Sequence, residues 1–252
     1  MNKNLPKVEF QEFETLQEFA KAARENLDQN SWDYLFGAAE TETTCRRNRL
    51  ALDTMGFRPR VLRNVENVNV GTEFLGAKLN LPVVLAPIGS MQDFHEGAGA
   101  VPTQAAAEYG CLHMLSSVCA PGLEAVAAAA PDYPKIFQLY VRGDPDFVDD
   151  HAKRAIDNGY IAFAFTIDLD YYSRRERDLA KRYVTTGRRL AGHNEEHQKR
   201  FNWDDVKRVQ DKFDIPIILK GIATAEDAAI AIENHIEVVY VSNHGGRQLD
   251  HG

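Results

Sequence analysis

The segment Ser242-Asn243-His244-Gly245-Gly246-Arg247-Gln248 follows directly on the apolar run Val238-Val239-Tyr240-Val241. A histidine and an arginine three residues apart share a glycine-rich turn there. An imidazole takes or gives a proton near neutral pH. A guanidinium holds a carboxylate through two parallel hydrogen bonds. The glycines let the backbone turn tightly and approach a ligand closely. A base beside a carboxylate clamp is the pair that oxidation of a 2-hydroxy acid requires. The plainer alternative is a polar turn carrying a solvated arginine.

Such a turn needs a strand to aim it, and Val238–Val241 reads as a buried parallel strand. Comparable apolar runs begin near residues 82, 111, 135, 160 and 215. Helical stretches lie between them over 101–109, 123–130, 146–158, 203–212 and 225–233. Thr224, followed by Ala225-Glu226-Asp227, is a good N-cap with acids in the first turn. Strand–helix units at a period of roughly 25 residues imply a parallel sheet with right-handed crossovers. Six such units favour a TIM-type (β/α)8 barrel, and no G-x-G-x-x-G fingerprint follows the first strand. Residues 1–80 read as an N-terminal helical extension, with helices over 16–27 and 43–52, and 81–252 as a barrel apparently truncated after its sixth strand. The wide gap between the fourth and fifth strands predicts a lid loop over about 169–202.

Polar residues recur where the strands end: Ser116, Ser117, Gln138, Tyr140, Thr166, Asp168, Lys220, His244 and Arg247. In a barrel these ends share one face, where ligand sites form.

The bulk properties narrow the class. A net charge of −8 argues against a nucleic-acid partner, and 44% hydrophobic residues suffice to fill a core. Cys45, Cys111 and Cys119 make an odd count without metal-ligand spacing, so we expect free thiols, no metal and a reducing, cytoplasmic setting. The N-terminus shows no apolar signal segment, and no run is long enough to span a bilayer.

The stretch from Tyr34 to Arg247 resembles the FMN-dependent 2-hydroxy acid oxidase/dehydrogenase family, which includes glycolate oxidase, lactate oxidase, flavocytochrome lactate dehydrogenase and mandelate dehydrogenase. The resemblance rests on Phe57-Arg58-Pro59-Arg60, Ala86-Pro87-Ile88-Gly89, Leu115-Ser116-Ser117 and Phe137-Gln138-Leu139-Tyr140. Thr166-Ile167-Asp168, Arg174-Arg175-Glu176, Leu219-Lys220-Gly221 and Ser242 to Gln248 complete it. It implies FMN as cofactor and His244 as catalytic base, with Asp168 pairing the imidazolium. Arg247, Arg175 and Tyr34 would hold the substrate carboxylate, and Tyr140 the substrate hydroxyl. Lys220 would sit beside the flavin and stabilise negative charge on the reduced ring. Pro87, Ile88, Gly89, Ser116, Gln138, Thr166 and Ser242 would line the flavin. Val118 stands where several relatives carry a bulky aromatic, so longer hydroxy acids should fit. The implied partners are a small 2-hydroxy acid, an electron acceptor (oxygen, a quinone or a cytochrome) and further copies of a full-length chain. A peroxisomal address is a second possibility beside the cytoplasm.

The sequence departs from the family pattern after Asp168, where Leu169-Asp170-Tyr171-Tyr172-Ser173 replaces a threonine–proline turn and a glycine. A shortened gene product, catalytically silent, is one competing reading. The ending at Gly252 further leads us to expect an isolated chain that is poorly soluble and retains little FMN. A flavin-dependent isopentenyl diphosphate isomerase is another competing reading, although its diphosphate substrate needs no His-Gly-Gly-Arg turn. His193-Asn194-Glu195-Glu196-His197 matches the H-x-x-E-H zinc pattern but lies among charged residues, and a solvated loop accounts for it better.

Overall fold

The computed structural model describes residues 13–192 and 195–252. Three helices come first: α1 (Leu16–Asn26), α2 (Gln29–Phe36) and α3 (Thr43–Asp53). An antiparallel hairpin of β1 (Thr72–Phe74) and β2 (Ala77–Leu79) follows. The six apolar runs then form β3 (Val84–Leu85), β4 (Leu112–Ser116), β5 (Ile136–Leu139), β6 (Ala162–Thr166), β7 (Ile217–Ile222) and β8 (Val238–Val241). They pair side by side in chain order, each parallel to the next. The intervening helices are α4 (Ala100–Tyr109), α5 (Leu123–Ala129), α6 (Pro145–Asp157), α10 (Trp203–Lys212) and α11 (Ala225–Glu233). This is the repeating unit of a TIM-type barrel, six strands of it.

Period-two alternation sorts every strand residue to one of two faces. Leu115, Phe137, Leu139, Phe163, Phe165, Ile217 and Leu219 face outward, packing with Val126 of α5, Val148 and Ala152 of α6, and Val206 and Val209 of α10. Leu112, Met114, Ile136, Ala162, Ala164 and Ile218 face inward, with Leu79 of the hairpin at their N-terminal end. Each wholly buried phenylalanine contributes about 2–3 kcal/mol. The outer layer, with Phe137, Phe163 and Phe165 all at 2% exposure or less, therefore carries much of the stability. The inner layer is built from smaller residues and sets the floor of the site.

The segment expected as one long loop folds into three short helices, α7 (Glu176–Lys181), α8 (Thr186–Ala191) and α9 (Glu195–Arg200). Each is only six residues long, below the length that a sequence period reveals. Helix α2, also absent from the sequence reading, starts at Asp28, whose carboxylate accepts from the Asn30 and Ser31 amides. No helix of the described residues is long and apolar enough to cross a membrane.

Helix α3 braces the turn that follows β8. Asn48 and Asn243 exchange side-chain amide hydrogen bonds at 2.8 and 3.1 Å. The Asp250 carboxylate accepts from the Thr43 and Thr44 amides and from the Thr41 hydroxyl, so a residue far along the chain caps this helix. Gly246 has φ of 72°, and a Cβ there would fall 2.5 Å from the Cys45 amide nitrogen. Only glycine permits that contact.

Candidate active site

The inward alternation continues past the strand ends and selects the chemical groups. Above Met114 on the same face come Ser116 and Val118. Above Ile136 come Gln138 and Tyr140, above Ala164 come Thr166 and Asp168, and above Ile218 comes Lys220. Register places Ser116 opposite Gln138 and Thr166 opposite Lys220. Val238 and Tyr240 of β8 pack on the inner layer, and Ser242 and His244 follow at the same spacing. A cavity of about 330 Å³ opens over this layer, lined by residues that include Pro87, Ile88, Gly89, Lys220, Ser242 and His244.

His244 sits at its centre. Its φ of 59° is left-handed, and the Ser242 hydroxyl accepts the His244 amide at 3.0 Å, which fixes the turn. Nδ1 lies 2.8 Å from Asp168 Oδ1 and 3.4 Å from Lys220 Nζ. The shorter contact assigns the proton to Nδ1, donated to Asp168, because a lysine ammonium and an N–H cannot donate to each other. The Nε2 lone pair then faces the Tyr140 hydroxyl at 3.4 Å. Gly221, with φ of +117°, makes room for this pair: a Cβ there would meet the Asp168 side chain at 2.7 Å.

Burial pushes the His244 imidazole below its ordinary value, and the nearby Lys220 and Arg175 charges act the same way; the Asp168 carboxylate opposes them in part. A base works in its neutral form, which predominates above its pKa. Catalytic efficiency is therefore expected to stay level across neutral pH and to fall only below about 6.5, the unperturbed imidazole value. Asp168→Asn should move that acid limb lower still, because it removes the group that favours the imidazolium. A limb that moves up in the variant would contradict this arrangement. Burial likewise lowers the Lys220 ammonium and raises the Tyr140 phenol, which keeps Tyr140 a hydrogen-bond donor at any working pH.

The cationic side of the site comes from elements remote in sequence. Arg175 is 7% exposed, with its guanidinium carbon 5.2 Å from the Tyr34 ring centre and 5.6 Å from that of Tyr172. Its Nε donates to the Ser173 hydroxyl and the Arg247 carbonyl, while its Nη1 is buried without a hydrogen-bond partner among the described residues. Arg247 is engaged differently. Its two terminal nitrogens donate to the Tyr34, Leu35 and Gly37 carbonyls at the end of α2, at 2.6, 3.0 and 2.5 Å. Arg247 thus ties the N-terminal helices to the site, and Arg175 is the guanidinium with a donor in hand.

The same floor tests the site for FMN. Gln138 and Thr166 are fully buried, yet Gln138 Nε2 and Oε1 and Thr166 Oγ1 have no partner among the described residues. Leaving such groups unpaired costs about 1–3 kcal/mol each. They form one polar patch with buried Ser116 and Lys220, their register partners on the inner face of the sheet. A flat ring with donors and acceptors along its edge answers that patch, so these residues fit a flavin.

Every expected site residue therefore lies at this end of the sheet. Sequence reasoning missed three more. Arg142 and Tyr172 line the cavity, and Gln198 of α9, 2% exposed, donates its amide to the Thr166 carbonyl and accepts from the Val141 amide. Arg142 was readable, being the next inward position after Gln138 and Tyr140. Gln198 carried no such signal. Of the zinc-like pattern, His193 and Asn194 lie outside the described residues; no group of metal-ligating side chains forms among the described ones.

Comparison with known proteins agrees with this reading. The family model for FMN-dependent dehydrogenases matches residues 23–252. Glycolate oxidase 3 of Arabidopsis thaliana is 33% identical over 95% of this chain and 71% of its own length. Glycolate oxidase 1 of Zea mays is 32% identical over 95% and 70%. A crystal structure of mandelate oxidase superposes with a TM-score of 0.89 at 31% identity, covering 95% of this chain and 71% of that one. The chain belongs to the FMN-dependent dehydrogenase family, a family of 2-hydroxy acid-oxidising flavoenzymes.

Proposed function

We propose that this chain oxidises an L-2-hydroxy acid to the 2-oxo acid, with His244 as the base. The observation that carries the reading is one constellation. The His244 Nε2 lone pair faces the Tyr140 hydroxyl, Nδ1 is held by Asp168, and Arg175 Nη1 is a buried donor without a partner in the same cavity.

Arg175 takes the substrate carboxylate, with Tyr34 and Arg247 beside it. Tyr140 donates to the substrate hydroxyl and so presents C2 and its oxygen to His244. Oxidation removes two electrons and two protons and leaves a carbonyl at C2. FMN, when bound, would supply the acceptor for the two electrons and for the proton that His244 does not take. His244 Nε2 takes one proton, and Asp168 stabilises the imidazolium that results. Lys220, held at the floor with Thr166, offsets negative charge at the flavin edge. Gln198 pins α9 over the strand ends and helps exclude water.

Val118 sets how large a substrate enters. Its side chain faces Gly89, where a Cβ would come within 2.8 Å of Val118 Cγ2. In the FMN-loaded chain, assayed aerobically with glycolate, lactate and mandelate, the larger acids are expected to be preferred. Val118→Trp should shift the ratio toward glycolate by about 10–200-fold, the worth of about 1–3 kcal/mol of pocket contact. An unchanged ratio would remove Val118 from substrate selection. Peroxide formation against dye reduction in the same assay distinguishes oxygen from a quinone or cytochrome as acceptor. A chain that binds FMN but oxidises none of the three acids would count against the function itself.

A further inference from the structure

A bulge in β7 shapes the floor of the site. Lys220 pairs with Tyr240 and Ile222 with Val241, so Gly221 is the extra residue. Thr166, Lys220 and Tyr240 lie side by side on β6, β7 and β8. Among the described residues, Tyr240 is the one aromatic on the inner face of β3 to β8, and with Lys220 it lines the cavity above. Neighbouring strands stand about 4.8 Å apart. Lys220 Nζ lies over the Tyr240 ring, 5.7 Å from its centre. That is within reach of a cation–π contact, in which the negative face of the ring attracts an ammonium.

Lys220 is a residue that such a contact would support. It is 5% exposed, and burial works against its charge. The Asp168 carboxylate acts in its favour but is already bonded to His244 Nδ1 at 2.8 Å. That Nδ1 lies 3.4 Å from Nζ and offers it no acceptor while it donates to Asp168. Asp168 follows β6, on one side of Lys220; Tyr240 reaches the ammonium from β8, on the other. An aliphatic side chain would fill the same floor, as Val238 does one inward position below, and would offer the ammonium nothing.

We propose that Tyr240 is a positioning residue for Lys220, its ring holding the ammonium in place and charged at the flavin edge, so that bound FMN is easier to reduce. A fixed cation stabilises the negative charge of the reduced ring better than one that drifts or sheds its proton. The inference rests on the role of Lys220 in the proposed function, and not on which hydroxy acid is oxidised.

The two-electron midpoint potential of FMN bound to the full chain tests it, measured against a reference dye with no hydroxy acid present. Tyr240→Leu and Tyr240→Ile should each shift the reduction equilibrium about threefold to tenfold toward the oxidised form, the worth of one cation–π contact, or about 15–30 mV. Isoleucine suits a strand, so that variant keeps the test open if leucine does not fold. Tyr240→Phe keeps the ring and should hold the wild-type potential. Lys220→Met should lower the potential by itself, and adding Tyr240→Leu should lower it no further, because no ammonium is left to hold. A residue that only filled the floor would not show that dependence. Wild-type potential in both aliphatic variants, an equal loss in Tyr240→Phe, or an undiminished drop in the Lys220→Met background overturns the inference. So does a wild-type chain that takes up no FMN. Oxidation of hydroxy acids is scored separately. Turnover without any effect of Tyr240 on the potential overturns the inference while the proposed function stands. The expected potentials without turnover support it while that function falls.

Discussion

In a flavin-competent, full-length context, His244→Gln is expected to keep FMN bound and to lower turnover at least about 100-fold, the ordinary scale for a lost general base. Glutamine preserves the polar volume and can still accept from Tyr140, but it takes no proton. The supports of the turn do not depend on the imidazole: the Asn48–Asn243 pair, the Gly246 contact with α3 and the Asp250 cap are all independent of it. The variant should therefore fold as the wild type does, with the same circular dichroism and flavin spectrum. Turnover at the wild-type rate in a folded, flavin-loaded variant would remove His244 from the mechanism.

Arg175→Leu should fall nearly as hard, but in another parameter. Truncating one partner of a buried charge pair costs about 2–5 kcal/mol, which is about 30- to 4,000-fold in catalytic efficiency. Because the lost contact is to a carboxylate that does not react, much of the effect should appear as a higher KM. Arg175→Lys should recover only part, since a point charge on a flexible stem cannot reproduce a fork packed between Tyr34 and Tyr172. Arg247 offers the contrast. Its guanidinium already serves three backbone carbonyls at the end of α2, so Arg247→Leu should lower thermal stability as well as activity. If Arg175→Leu left KM and efficiency unchanged, the carboxylate would have to bind elsewhere.

Much of this site was legible because strands have a period of two. Once Met114, Ile136, Ala164 and Ile218 are inward, Ser116, Gln138, Thr166 and Lys220 must be inward as well, and the next positions reach the mouth as Val118, Tyr140 and Asp168. The same counting gives Arg142. What periodicity cannot supply is contact between distant segments. Nothing in the sequence ties Asp250 to the start of α3, or the Arg247 guanidinium to the end of α2. Gln198 lies in a six-residue helix without an apolar period, and its two hydrogen bonds exist only because α9 folds back over the ends of β5 and β6. The expected roles of Arg175 and Arg247 also looked equivalent in sequence. Packing separates them, because one guanidinium is consumed by backbone carbonyls and the other keeps a buried donor.

The most direct test is anaerobic mixing of the FMN-loaded chain with excess L-2-hydroxy acid while the oxidised flavin absorbance is followed. The expected result is loss of that absorbance, with one 2-oxo acid formed per flavin and a rate that falls at low pH as His244 becomes protonated. Flavin that stays oxidised with every acid offered would contradict the assignment of this constellation as a hydroxy-acid oxidising site.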